Sequence, residues 1–134
     1  MKSDAGKNDS IWTITADIAP RPPLAADDHA SVVVVGAGIA GLTTAYIAAK
    51  EGKSVIVLDD GPIGGGESGR TTAHLSNALD DRYFELERLH GERGARLAAA
   101  SHTAAIDKIE EIVMAERIEC EFTRLDGYLF LSPG

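Results

Sequence analysis

An α/β fold class is what this sequence predicts, and three observations predict it. The run "SVVVV", Ser31 to Val35, is short, continuously apolar and followed by glycine, the pattern of a strand buried on both faces of a parallel sheet. Gly38 to Glu51 reads as a helix, with Gly41, Ala45 and Ala48 on one face and Gly52 as its C-terminal stop. "SVIVL", Ser54 to Leu58, is a second apolar run of strand length. Strand, glycine turn, helix and strand within about 30 residues make a βαβ unit with a right-handed crossover. The predicted architecture is therefore α/β: a βαβ unit, helices after it, and the start of a β-rich second domain.

The flanking segments complete this plan. Residues 1–30 carry "APRPPL" and the acidic pair Asp27 and Asp28, and read as an extended leader in which "SIWTIT" packs locally through Trp12. Residues 31–119 form the part built on the βαβ unit. Within it, Asp80 to Glu119 is helical and charged; Gly91 and Gly94 are expected to divide it into a short and a longer helix, since a mid-helix glycine costs about 1 kcal/mol relative to alanine. In the longer helix Ala98, Ala105, Ile109 and Ile112 recur at helical spacing as the buried face, while Asp107, Lys108, Glu110 and Glu111 form a solvated one. Residues 120–134 open a further domain. "CEFTRLDGYLFL", Cys120 to Leu131, alternates around Asp126-Gly127 and predicts two paired strands, with Cys120 as a buried strand thiol.

Composition excludes several functions. Thirteen basic against 21 acidic residues give a net charge of −8 without a basic run, which argues against a nucleic-acid partner. Ala30 to Ala49 is uncharged and close to the ~20 residues of a membrane span. Four consecutive valines, three spaced glycines and the polar Thr43, Thr44 and Tyr46 make it a strand and helix instead. The N-terminus has no apolar signal core and Cys120 is a single cysteine, so the expected compartment is the cytoplasm.

Gly36, Gly38 and Gly41 spell G-x-G-x-x-G between a strand and a helix, and Asp59 follows at the tip of the next strand. That context makes a weak pattern a strong dinucleotide fingerprint. Gly36 permits the tight turn, Gly38 lets backbone N–H groups approach a pyrophosphate, and Gly41 lets the helix lie close to the sheet. The helix N-terminus, from Ile39 and Ala40 onward, supplies unpaired donors and positive potential. Asp59 suits the adenosine ribose hydroxyls and disfavours a 2′-phosphate, which leaves FAD or NAD.

A second glycine cluster, "GPIGGGESGRTTAHLS", follows where a simple NAD domain usually leads through a helix to a third strand. A long loop of glycines and hydroxyls leaving the same sheet edge suits a ligand with a bulky far half, beyond the pyrophosphate. "VVVVGAGIAGLTTAYIAAKEGKSVIVLD" followed by "GGGESGRTTAHLS" resembles the FAD-dependent oxidoreductases related to D-amino-acid oxidase, glycine oxidase and sarcosine oxidase. "SIWTIT", "GRTTAHLSNALDDRY", "LERLHGE" and "RLDGYLFLSPG" resemble, more narrowly, the subgroup with a C-terminal Rieske iron–sulfur domain.

The resemblance implies a Rossmann-like FAD-binding βαβ unit in which Gly36, Gly38 and Gly41, with Ile39 and Ala40 between them, border the pyrophosphate and Asp59 binds the ribose. Most members carry Glu at the Asp59 position. Ser68, Arg70, Thr71 and Thr72 match the loop that runs toward the flavin; Arg70 either meets the cofactor there or pairs with Glu67 or Asp60. Some relatives attach the flavin through a histidine, but the matching position is Thr71 and not His74, so a noncovalent FAD is implied. His29, His90 and His102 fit no metal or catalytic spacing, and His102 reads as a packed or hydrogen-bonded helix residue.

Relatives complete the flavin sheet after a substrate domain, so the resemblance implies an N-terminal portion of a larger enzyme. Its expected reaction is oxidation of a small amine or amino acid by hydride transfer to flavin, with oxygen or an electron-transfer partner receiving the electrons. The catalytic residues are not in the matched motifs. A [2Fe-2S] Rieske centre requires two cysteines and two histidines and cannot be held by a chain with one cysteine. A NAD-binding dehydrogenase domain and a noncatalytic nucleotide-binding fragment are the alternative readings.

Overall fold

A computed structural model describes residues 10–16, 18–80, 82–128 and 130 of the chain. The chain divides into two compact units, one ending at Ala73 and the other starting at His74.

The first unit holds the βαβ core. Strand β1 (Val32–Val35) pairs in parallel with β2 (Val55–Leu58), Val32 opposite Val55 and Val35 opposite Leu58. β-branched valine and isoleucine fill both strands, as a pleated and partly buried surface favours. Between them lies helix α2 (Ile39–Lys50), which packs on the pair. It stops as expected: Gly52 has φ +78°, and the N–H groups of Gly52 and Lys53 return to the carbonyls of Ala49 and Ala48. Ala45 is buried on the helix face predicted to pack.

Two expectations for this unit need correction. β1 is not buried on both faces: Val32 and Val34 face α2 and are half-buried, whereas Val33 and Val35 are 54% and 85% exposed. Within the described residues a helix covers only one face of the pair. Nor is the leader wholly extended, since Ile11–Thr15 form a short helix, α1. Ser10 is its N-cap, with Oγ accepting the Trp12 N–H at 3.3 Å. The hydroxyls of Thr13 and Thr15 donate back to the carbonyls of Ser10 and Ile11. Residues 18–30 carry no regular element.

The second unit is built on helix α3 (Tyr83–Glu116). Gly91 breaks it, with φ 73° and ψ 168°, while Gly94 continues the helix. The predicted division therefore rests on Gly91 alone. Downstream the buried stripe also differs from the expected one: Ala95 is buried and His102, Ile106, Ile109 and Val113 are half-buried, but Ala105 is exposed. Of the expected stripe, Ala98, Ile109 and Ile112 are half-buried and Ala105 alone is exposed; at about 100° per residue Ala105 lies about 80° around the helix from Ala95, at the edge of the stripe. His102 fulfils its expected role, its Nδ1 lying 2.8 Å from the Ala98 carbonyl oxygen. Exposed pairs of Arg88 with Glu85 and Arg96 with Glu92 run along the outer side. The helix closes on Arg117 in the left-handed region, φ 53°, with the Ile118 N–H on the Val113 carbonyl.

The expected hairpin is not formed among the described residues. Residues 118–128 contain no strand, and Leu129 and Leu131, which would belong to the returning strand, lie outside the described residues. An isolated two-stranded hairpin is marginal in water. Arg124 instead reaches back to α3, donating to Asp107 and Glu110 at 2.6 Å each, and both carboxylates raise its pKa, Glu110 more strongly. Cys120 is exposed and not a buried strand thiol.

Candidate functional site

The site is assembled at the carboxyl ends of β1 and β2, where the chain leaves both strands through glycine-rich turns. Gly36 follows β1 with φ +109°, a conformation that a side chain rarely adopts. Gly41, one turn into α2, is fixed by a close approach: a Cβ there would lie 1.9 Å from the Gly36 carbonyl oxygen and 3.3 Å from Val34 Cγ1. The turn and the first turn of the helix are thus in backbone contact, which only glycine allows.

Asp59 locks this turn from the neighbouring strand. One carboxylate oxygen accepts the Ala37 N–H at 2.5 Å and the other accepts the Gly61 N–H at 2.8 Å. These two donors hold its pKa below the ordinary aspartate value, Ala37 contributing most, against a smaller opposing effect of burial. A carboxylate has about four acceptor positions, so Asp59 keeps acceptor capacity beyond these two bonds.

The second glycine loop folds over the first. Gly64 donates its N–H to the Ala37 carbonyl at 2.9 Å. Glu67–Arg70 form a single 3₁₀ turn that carries Ser68 to the start of α2, where its Oγ accepts the Ile39 N–H at 2.9 Å. Gly38 makes room for this contact, since a Cβ on it would lie 3.0 Å from Ser68 Oγ. The first intrahelical bond runs from the Leu42 N–H to the Gly38 carbonyl, which leaves the N–H groups of Ala40 and Gly41 without an intrahelical acceptor. Gly69 is buried, and a Cβ there would lie 2.7 Å from the Gly64 carbonyl oxygen and 3.4 Å from Thr13 Cγ2.

Of the residues singled out in the sequence, the fold brings together Gly36, Gly38, Ile39, Ala40, Gly41, Asp59 and Ser68 around the N-terminus of α2. Arg70, Thr71 and Thr72 follow at the end of the 3₁₀ turn and are exposed. Thr71 makes a link that sequence reasoning missed: its carbonyl accepts the Trp12 indole N–H at 2.8 Å. Ser10 ahead of "IWTIT" was a readable cap signal for α1, but nothing local ties Trp12 to a partner 59 residues away. The role of Ala37 and Gly64 in holding the two loops together was likewise invisible, because both act through backbone atoms. Among the described residues no group of three or more His, Cys, Asp or Glu side chains is placed to hold a metal, and no helix is long and apolar enough to cross a membrane.

Comparison with known proteins places this arrangement. The sequence model of the FAD dependent oxidoreductase family matches residues 31–134. The chain belongs to that family. Members similar to it include YhfW of Bacillus subtilis, named as a Rieske 2Fe-2S iron-sulfur protein, 34% identical over 92% of this chain and 24% of the relative. OrdL of Haemophilus influenzae, named as an oxidoreductase, is 35% identical over 83% of this chain and 25% of its own length. The gamma-glutamylputrescine oxidoreductase of Escherichia coli is 31% identical over 85% and 26%. The chain therefore spans about a quarter of the length of these members of the family. No solved structure gives a significant match.

Proposed function

We propose that the chain is the FAD-binding portion of a flavin-dependent oxidoreductase that oxidises a small amine or amino acid. The observation that carries this reading is the convergence at the N-terminus of α2: the open Gly36 to Gly41 turn, the Asp59 carboxylate beside it, and a second glycine loop laid across both. Residues 31–119 supply this part, and 120–134 begin the segment that follows.

The residues present fit the ADP half of FAD. The free N–H groups of Ala40 and Gly41 and the absent side chain of Gly38 suit the pyrophosphate, at the positive end of a 12-residue helix. Asp59, kept ionised by Ala37 and Gly61, has acceptor positions left for ribose hydroxyls. Ser68, Arg70, Thr71 and Thr72 would follow the ligand toward its flavin end. When bound, FAD supplies a two-electron acceptor for a substrate C–H bond. The task of this chain's residues is to hold and orient it.

The name of the Escherichia coli relative supports an amine-bearing small molecule as substrate. That of the Bacillus subtilis relative supports a [2Fe-2S] centre elsewhere in the whole protein and, with it, an electron-transfer partner. The test is to purify the whole protein, titrate it with FAD and with NAD, and then add small amines and amino acids without oxygen. Stoichiometric FAD binding, followed by bleaching of the flavin band with an amine or amino acid, is the expected result. Binding of NAD in place of FAD would assign the site to a nicotinamide dehydrogenase; flavin binding with no bleaching by any of these compounds would remove the substrate class.

A further inference from the structure

We propose that Trp12 is a positioning residue of the cofactor site: its indole N–H holds the Thr71 carbonyl and so fixes the course of the second glycine loop past the start of α2. The proposal rests on the reading of that site as one for FAD.

Three hydrogen bonds, among those of the described residues, hold the loop between Gly64 and Thr71. Two of them, Gly64 on the Ala37 carbonyl and Ser68 on the Ile39 N–H, tie it to the glycine turn. The third is the 2.8 Å bond from Trp12 to Thr71, at the end from which Thr71 and Thr72 project. The bond is seconded by packing, because Thr13 lies against Gly69, the buried residue of the 3₁₀ turn. A cleft of about 310 Å³ runs between α1 and the loop, lined by Trp12, Thr13, Ile18, Ile63 and Ser68 among others. Across this cleft the Trp12 bond is a directional contact between α1 and the loop. Trp12 is 43% exposed, so it acts at the rim of the site and not as a core side chain. A five-residue helix capped by Ser10 is an economical support for it. A segment read from sequence as a leader thereby supplies, through Trp12, a support for the loop.

The test uses Trp12→Phe in the whole protein, which keeps an aromatic ring and removes the donor. Losing one hydrogen bond of ordinary strength should weaken FAD binding about three- to tenfold. In the FAD-free protein, tryptic cleavage after Arg70 should rise by a comparable factor while cleavage at other sites stays unchanged, because opening there is local. Ile14→Ala, on the exposed side of the same helix, should change neither quantity. If Trp12→Phe does not fold, Ser10→Ala, which loosens α1 without touching the loop, carries the test with a smaller change in the same direction. Unchanged FAD affinity overturns the proposal even if cleavage rises, and so does a uniform rise at all tryptic sites. A wild-type protein that takes up no FAD would instead overturn the proposed function itself.

Discussion

The Asp59 carboxylate accepts the backbone N–H of Ala37 at 2.5 Å, joining the tip of β2 to the turn that leaves β1. One side chain thus ties the glycine turn to the neighbouring strand, and its charge should matter for folding as well as for the proposed binding.

Asp59→Asn places an amide NH₂ against one of two N–H donors, Ala37 or Gly61, and should weaken FAD binding about tenfold or more, as loss of a charged acceptor does. The two donors depress the Asp59 pKa in the fold. Its stabilising contribution is therefore complete above the ordinary aspartate range, about 3.9, and disappears as pH falls through the lower folded value. The difference in unfolding midpoint between wild type and variant should accordingly be largest near neutral pH and close under more acidic conditions. A difference that stays constant with pH would show that the carboxylate's charge plays no part.

Gly41→Ala should destabilise the protein by about 3 kcal/mol, since the new Cβ would meet backbone and not a flexible side chain. Gly61→Ala is the matched comparison, with its nearest neighbour Asp59 Oδ1 at an ordinary 3.5 Å, and should change stability by no more than about 0.5 kcal/mol. Urea unfolding of the two variants checks the contrast; equal effects would mean that helix and turn do not touch as described.

Gly91→Ala should cost about 2 kcal/mol, because φ 73° with ψ 168° is a conformation almost reserved for glycine. Thermal unfolding together with helical circular dichroism provides the measurement. A variant that gains both stability and helicity would show that the break is dispensable and that α3 prefers to run straight.

What could be read from the sequence was local. Gly36, Gly38 and Gly41 lie within one turn and one helical start, so their spacing carries their geometry, and the valine runs announce the strands on either side. Asp59 was legible as an acid at a strand tip, but not as the acceptor of two backbone bonds, because Ala37 and Gly61 contribute no side-chain signal. Gly91 and Gly94 look alike in sequence, and only the backbone conformation at Gly91 makes it the break. The stripe through Ala95, His102, Ile106 and Ile109 was misjudged only at Ala105, a small side chain at the edge of the stripe whose alanine identity does not separate it from the buried alanines of the same helix. The hairpin at Asp126-Gly127 shows the opposite limit. A turn dipeptide proposes a pairing, and the ion pairs of Arg124 with Asp107 and Glu110 give residues 118–128 a different anchor.

The hydroxyl that caps α2 comes from Ser68, 29 residues beyond the Ile39 N–H it accepts. Helix initiation is the costly step in forming a helix, and here the group that completes it is supplied only once β2 has docked beside β1 and the chain has turned back. The start of α2 is therefore completed from outside the βαβ unit, by a loop that follows β2 in the chain. A nascent chain that has emerged only as far as β2 has both strands and the helix, yet not the hydroxyl that closes the helix end.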